Sequence, residues 1–154
     1  MNHKLLFLGK TGEMFLEQGI EKYRLRLRHY TSISIEILKE KKGRKSGGNQ
    51  KKNQGKILLQ AVPAGACKIA LDSRGTQFTS TGFAKKIMDL EMRGVKDAVY
   101  LIGGPDGLSD EIIDAADLVL SFSKMTFPHD MIRLFLMEQL YRAYTIKAGE
   151  KYHR

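Results

Sequence analysis

The chain has 154 residues, 42% hydrophobic and 28% charged, which suits one folded domain over 1–154 that can bury a core without disulfides or a structural metal. A single cysteine excludes an internal disulfide, and the N-terminal apolar run, Leu5 to Leu8, is too short for a signal segment or a membrane span. A reducing, cytoplasmic setting with no membrane partner is expected. The formal charge is +9, and residues 39–56 hold eight Lys/Arg against one acid, Glu40, so seven of the nine net charges lie in that stretch. Such a segment, rich also in Gly, Asn and Gln, holds a polyanion through phosphate contacts; the alternative is a solvated loop with no partner.

In chain order, His3 to Gly9 reads as a first strand and Gly12 to Tyr30 as a helix whose apolar residues are Met14, Phe15, Ile20, Tyr23, Leu25 and Leu27. Thr31 to Leu38 alternates polar with apolar, a half-buried strand. The basic segment follows as a long surface loop entering a short helix over Gln50 to Ala61. Cys67 to Leu71 is a short apolar strand, ended by the turn signature Asp72-Ser73-Arg74-Gly75. Thr79 to Gly82 offers caps for a helix over Phe83 to Met92 that stops near Gly94. Asp97 to Ile102 is almost wholly apolar at its centre, a strand buried on both faces as in a parallel sheet. Ser109 opens a short helix to about Ala116, Asp117 to Ser121 is the last strand, and Pro128 begins a long helix. That helix is apolar over more than one stripe, which suggests burial on two sides, the second against another subunit. Strands alternating with helices predict a three-layer α/β domain with a mostly parallel sheet.

Three strand ends carry unusual loops: 71–75, 102–107 (Ile-Gly-Gly-Pro-Asp-Gly) and 121–128 (Ser-Phe-Ser-Lys-Met-Thr-Phe-Pro). In a parallel sheet these ends converge on one pocket, and paired glycines let a flat heterocycle approach the backbone. The glycine run alone also fits a tight turn, and it lacks the spacing of a dinucleotide fingerprint or a phosphate loop, which weighs against a doubly wound oxidoreductase and against ATP hydrolysis. Cys67 sits in an apolar run and reads as a small buried hydrophobe. His3, His29, His129 and His153 are scattered, so no metal site is expected. His129, in the first turn of a helix, fits a hydrogen-bonded structural histidine as well as a catalytic one.

Leu71-Asp72, LIGGPDGLSDEI at 101–112, LSFSKMTFPH at 120–129, MEQLYRAY at 137–144 and YHR at 152–154 resemble, in order and over nearly the whole chain, the RlmH-type methyltransferases of the SPOUT superfamily. The resemblance implies an α/β knot fold with a C-terminal trefoil knot, which sequence pattern alone would not suggest. It also implies a homodimer that moves a methyl group from S-adenosylmethionine to N3 of a pseudouridine in 23S rRNA on assembled ribosomes. The implied cofactor residues are Leu71, Gly103, Gly104 and the loop Phe122, Ser123, Lys124, Met125, Thr126 and Phe127. For that reaction, candidates to stabilise the developing anion on the base are Arg142, His129, Tyr152, His153 and Arg154. A salt bridge to Glu138 is the plain structural role for Arg142, and a frayed terminus is that of residues 152–154; the resemblance instead puts the tail beside the cofactor pocket, across a dimer interface. The basic segment alone equally fits a non-catalytic RNA-binding or ribosome-associated factor.

Overall fold

A computed structural model describes residues 1–39 and 47–153, with the side chains of 47–49 left aside. The chain order is β1 (Asn2–Leu8), α1 (Met14–Leu27), β2 (Ile33–Leu38), α2 (Gly47–Gln60), β3 (Cys67–Gln77), α3 (Ser80–Met92), β4 (Asp97–Ile102), α4 (Asp110–Ala115), β5 (Leu118–Ser121) and α5 (His129–Lys147). The strands form one sheet in the order β2-β1-β4-β3-β5, and every pairing is parallel. The expected three-layer α/β architecture is therefore present.

The apolar runs in β1 and β4 explain the layering, because successive side chains point to opposite faces. Leu5, Phe7, Ala98, Tyr100 and Ile102 share a core with Ile20 and Leu27 of α1, Phe83 and Ile87 of α3, and Leu136 and Leu140 of α5. Leu6, Leu8, Val99 and Leu101 face the other way, onto Leu58 of α2 and Ile112 of α4. The N-cap reading of Thr79 holds: its hydroxyl accepts the Gly82 N–H at 3.0 Å. Cys67 is half-buried, and that burial pushes its thiol pKa up, as suits an unreactive thiol.

One expectation needs correction. The strand beginning at Cys67 does not end at Leu71. Leu71 and Thr76 both lie opposite Leu120, so residues 72–75 bulge from a strand that rejoins β5 at Thr76 and Gln77. Gly75 permits this, since a Cβ there would lie 2.5 Å from the Val119 carbonyl oxygen. Of the apolar residues read in α1, Met14, Phe15 and Leu25 are 72%, 66% and 48% exposed, while Ile20 and Leu27 are buried together with Leu16. Two-sided packing of α5, as expected, is present within the chain, against α1 and α3. The helix expected from Gln50 begins at Gly47.

At the edge opposite the strand carboxyl ends, His3 is buried and joins two layers: its Nδ1 meets the Tyr100 hydroxyl at 2.9 Å and its Nε2 meets the Tyr144 hydroxyl at 2.8 Å. Tyr144 donates onward to Glu91 at 2.9 Å, and Glu91 also takes Lys147 at 2.6 Å. Burial first, then the Met1 ammonium, lower the His3 pKa from 6.5 to about 3, against the pull of Glu91. A depressed histidine favours the folded state above its unfolded pKa, and that contribution fades as pH falls from 6.5 towards 3. We expect the unfolding free energy to fall by at most about 1.4 kcal/mol per pH unit over that range, and His3→Gln to flatten the slope in urea titrations at pH 7, 6 and 5. An equal slope in the variant would remove His3 as its source.

Candidate functional site

Because all five strands run parallel, their carboxyl ends lie at one edge, where the loops after β4 and β5 and the β3 bulge enclose a cavity of about 620 Å³. Its walls include Leu71 to Arg74 of β3, Gly104 to Leu108, and Leu120 to Ser123 with Met125 to His129, closed by Ile132 of α5 and Lys51 of α2. The three strand-end loops thus meet as expected. The volume suits a nucleoside-sized ligand, and Leu71, Leu120, Phe122, Phe127 and Ile132 make the wall largely apolar.

Local chemistry sets the shape of each loop. Gly107 has φ +74°, and a Cβ on Gly103 would come within 2.7 Å of the Gly107 backbone, so the turn after β4 folds flat on itself. After β5, the Ser121 hydroxyl donates to the Ser123 carbonyl at 3.0 Å and the Ser123 hydroxyl accepts the Met125 N–H at 3.0 Å. The Phe127 ring then meets Phe135 edge-on at 5.3 Å, which fixes the loop to α5. At the mouth, Arg74 joins the bulge to α4: its Nε donates to Asp72 at 2.8 Å and its Nη1 to Asp110 at 2.8 Å. Burial alone would raise the Asp72 pKa, but the side-chain and backbone donors of Arg74 outweigh it and hold the carboxyl below its usual range.

Of the cofactor residues implied by resemblance, Leu71, Gly104, Phe122, Ser123, Met125, Thr126 and Phe127 line this cavity, whereas Gly103 lies behind the turn and Lys124 is not on the wall. His129 also lines it, with Nε2 3.3 Å from the Asp130 carboxylate. Arg142, Tyr152 and His153 are not brought to the cavity of their own chain. Arg142 lies thirteen positions beyond His129 along α5, about 20 Å at 1.5 Å per residue. Arg154 lies outside the described residues, as do residues 40–46 of the basic segment.

The tail is packed rather than frayed. Tyr152 stacks edge-on against Tyr141 at 4.8 Å, its hydroxyl donates to Glu138 at 3.2 Å and meets the Tyr23 hydroxyl at 3.3 Å, and the Arg142 guanidinium lies 4.9 Å over its ring. The salt bridge foreseen for Arg142 is present, Nε to Glu138 at 3.0 Å, and its Nη1 reaches His153 Nδ1 at 3.3 Å.

One buried residue at the site was not anticipated. Arg133 is fully buried, with its guanidinium 4.6 Å over the Phe7 ring. It donates to the Leu8 carbonyl at 2.8 Å and to Thr11 at 3.2 Å, and pairs with Asp130 at 2.9 Å, while Asp130 accepts the Gly12 N–H at 2.8 Å. This ties the cavity end of α5 to the end of β1. A lone arginine inside Met131-Ile132-Arg133-Leu134-Phe135-Leu136 was the available signal.

The family model described as "Predicted SPOUT methyltransferase" matches residues 1–153. The chain belongs to the SPOUT methyltransferases. Among its relatives, the proteins named ribosomal RNA large subunit methyltransferase H from Desulfotalea psychrophila (51% identical) and Halothermothrix orenii (41%) align over 100% of both chains. A solved structure of a probable methylase family protein from Haemophilus influenzae shares the fold at TM-score 0.55 and 11% identity, over 99% of this chain and 70% of that one.

Replacing Arg133 with Met should leave Asp130 without its guanidinium and cost about 3 kcal/mol of stability, read as a lower urea midpoint with unchanged slope. Arg133→Lys should recover only part of that, because an ammonium cannot reach Leu8, Thr11 and Asp130 at once. A variant as stable as the wild type would remove the proposed tie.

Proposed function

We propose that the chain acts in the cytoplasm as a homodimer that methylates N3 of a pseudouridine in 23S rRNA on assembled ribosomes, with S-adenosylmethionine as methyl donor and no metal. The observation that carries this reading is the cavity at the carboxyl edge, enclosed by the same three loops whose sequences resemble the RlmH type. Full-length relatives named ribosomal RNA large subunit methyltransferase H support rRNA as substrate, and they do not favour a non-catalytic RNA-binding factor. A C-terminal trefoil knot fits the chain's path: it leaves β4, reaches β5 on the far side of β3, and Gly75 lets the two backbones pass within a distance no other residue allows.

The residues present suit the cofactor. Gly104 and Gly107 let a flat ring approach the backbone of the turn, and Leu71, Phe122 and Phe127 supply apolar contact. When bound, S-adenosylmethionine supplies an electrophilic methyl group on a sulfonium centre. The chain's own work is to exclude water with the apolar wall, hold the base in line, and favour loss of the N3 proton. Arg142, Tyr152 and His153 are assigned that last task, with Arg154 and His129. Their separation from the cavity along α5 supports a composite site in which one copy's tail serves the other's cavity. Exposed Met14, Phe15 and Met125, the first two beside the cavity end of α5, support a second copy as neighbour. Lys51 at the mouth, with Lys52 and Lys56 on the same helix, continues the basic segment towards the cavity and suits rRNA phosphates.

The deciding experiment is transfer of labelled methyl from S-adenosylmethionine to ribosomes lacking the modification, with the labelled nucleoside identified by mass. Label on N3 of pseudouridine is expected; label on another nucleoside would change the target, and none despite tight cofactor binding would overturn the assignment. Reversing the charge at Lys51, Lys52 and Lys56 should weaken ribosome binding and flatten its salt dependence while cofactor affinity stays constant. Unchanged ribosome affinity would leave α2 without that role.

A further inference from the structure

We infer that Glu138 is a positioning residue for methyl transfer, the carboxylate that holds Arg142 and the C-terminal tail in one reactive arrangement; this rests on the reading above that Arg142, Tyr152 and His153 act in the reaction. Three independent groups converge on Glu138. Its Oε1 accepts from Arg142 Nε at 3.0 Å and from the Tyr152 hydroxyl at 3.2 Å, and its Oε2 accepts from Gln139 Nε2 at 2.7 Å. Gln139 is held in turn by the Ser80 hydroxyl at 2.9 Å, so the carboxylate is anchored on the α3 side as well as on its own helix.

The consequence lies in what remains free. Arg142 gives Nε and Nη2 to Glu138, which turns Nη1 towards His153 Nδ1 at 3.3 Å. Guanidinium only donates, so Nδ1 must accept and a neutral imidazole carries its proton on Nε2. One carboxylate thereby fixes the plane of a cation, the place of a phenol and the tautomer of an imidazole. The groups behind it complete the hold: Tyr23 meets the Tyr152 hydroxyl, Tyr141 packs on the Tyr152 ring, and Tyr30 donates to Glu150 at 2.7 Å just before the tail. A surface ion pair one turn apart on a helix is worth little to stability. Its value here is geometric, since the guanidinium and the tail must be delivered together to a cavity about 20 Å from their own base on α5.

The test is Glu138→Gln, compared with Glu138→Asp and Tyr23→Phe. In Glu138→Gln, kcat for methyl transfer to ribosomes should fall about a hundredfold, while cofactor Kd, ribosome KM and the thermal midpoint stay at wild-type values; Glu138→Asp should retain more activity than Glu138→Gln. By NMR the Arg142 Nε–H signal should broaden and the His153 ring signals shift, with core methyl signals unmoved. Wild-type kcat together with unmoved Arg142 and His153 signals overturns the inference. Should the wild type itself transfer no methyl, the functional reading falls, and the NMR arm still decides whether Glu138 positions the tail. Finally, a purified heterodimer joining a Glu138→Gln protomer to one whose cavity is blocked by Thr126→Trp, checked by its lost cofactor binding, should regain about half the wild-type rate, since one intact tail then meets one intact cavity. An inactive heterodimer would overturn delivery to the partner.

Discussion

Parallel pairing is the constraint on which the rest of the molecule depends. A parallel sheet cannot be built from hairpins, so every strand needs a crossover, and the crossovers cover both faces. That is why β1 and β4 carry apolar residues at consecutive positions, Leu5 to Leu8 and Ala98 to Ile102, with no solvent face to supply polar ones. The same constraint sends every strand's carboxyl end to one edge, so loops distant in sequence become neighbours there. The cavity is a product of the pairing; its loops only give it shape.

The β3 bulge shows how that edge is refined. Four extra residues opposite Leu120 push Asp72 and Arg74 out at the mouth, where Arg74 bridges to the first turn of α4. With Gly75 against the β5 backbone, the insertion stays flat to the sheet. Arg133 performs the matching task on the other side, fastening α5 to the β1 end from within the core. One cation holds the mouth from outside and the other holds the wall from inside; since Arg74 is exposed and Arg133 is not, only the second carries much stability.

Much of this was legible in the sequence wherever a signal was local. Strict alternation over β2, two-sided apolar runs in β1 and β4, and the Thr79 cap each act within a few residues, and each element was found within a few residues of its expected bounds. The bulge was missed because Asp72-Ser73-Arg74-Gly75 has the composition of a turn that ends a strand, and two residues of resumed strand carry no periodicity. The second apolar stripe of α5 spoke of two burying partners without saying that both belong to the same chain. For the site, the glycine turn and the loop after β5 were visible as unusual strand ends, but the catalytic candidates came from resemblance. Spacing along α5 already set Arg142 about 20 Å from His129, but it could not reveal that the tail folds back onto Tyr23, Glu138 and Tyr141.

That separation turns a weakness of the single chain into an argument about its assembly. A tail that merely capped α5 would need only apolar contact, and Tyr141 against Tyr152 already provides it. Yet the same few residues also hold a guanidinium, a phenol and an imidazole in defined hydrogen bonds around Glu138, near the surface, where such order costs side-chain entropy and returns little stability. Within one chain that arrangement lies away from the cavity, whose wall is largely apolar but also carries Lys51, Ser73, Asp106, Ser123, Thr126 and His129 beside the Asp72–Arg74 pair. Under the proposed composite site, one copy's tail would complete the other copy's cavity.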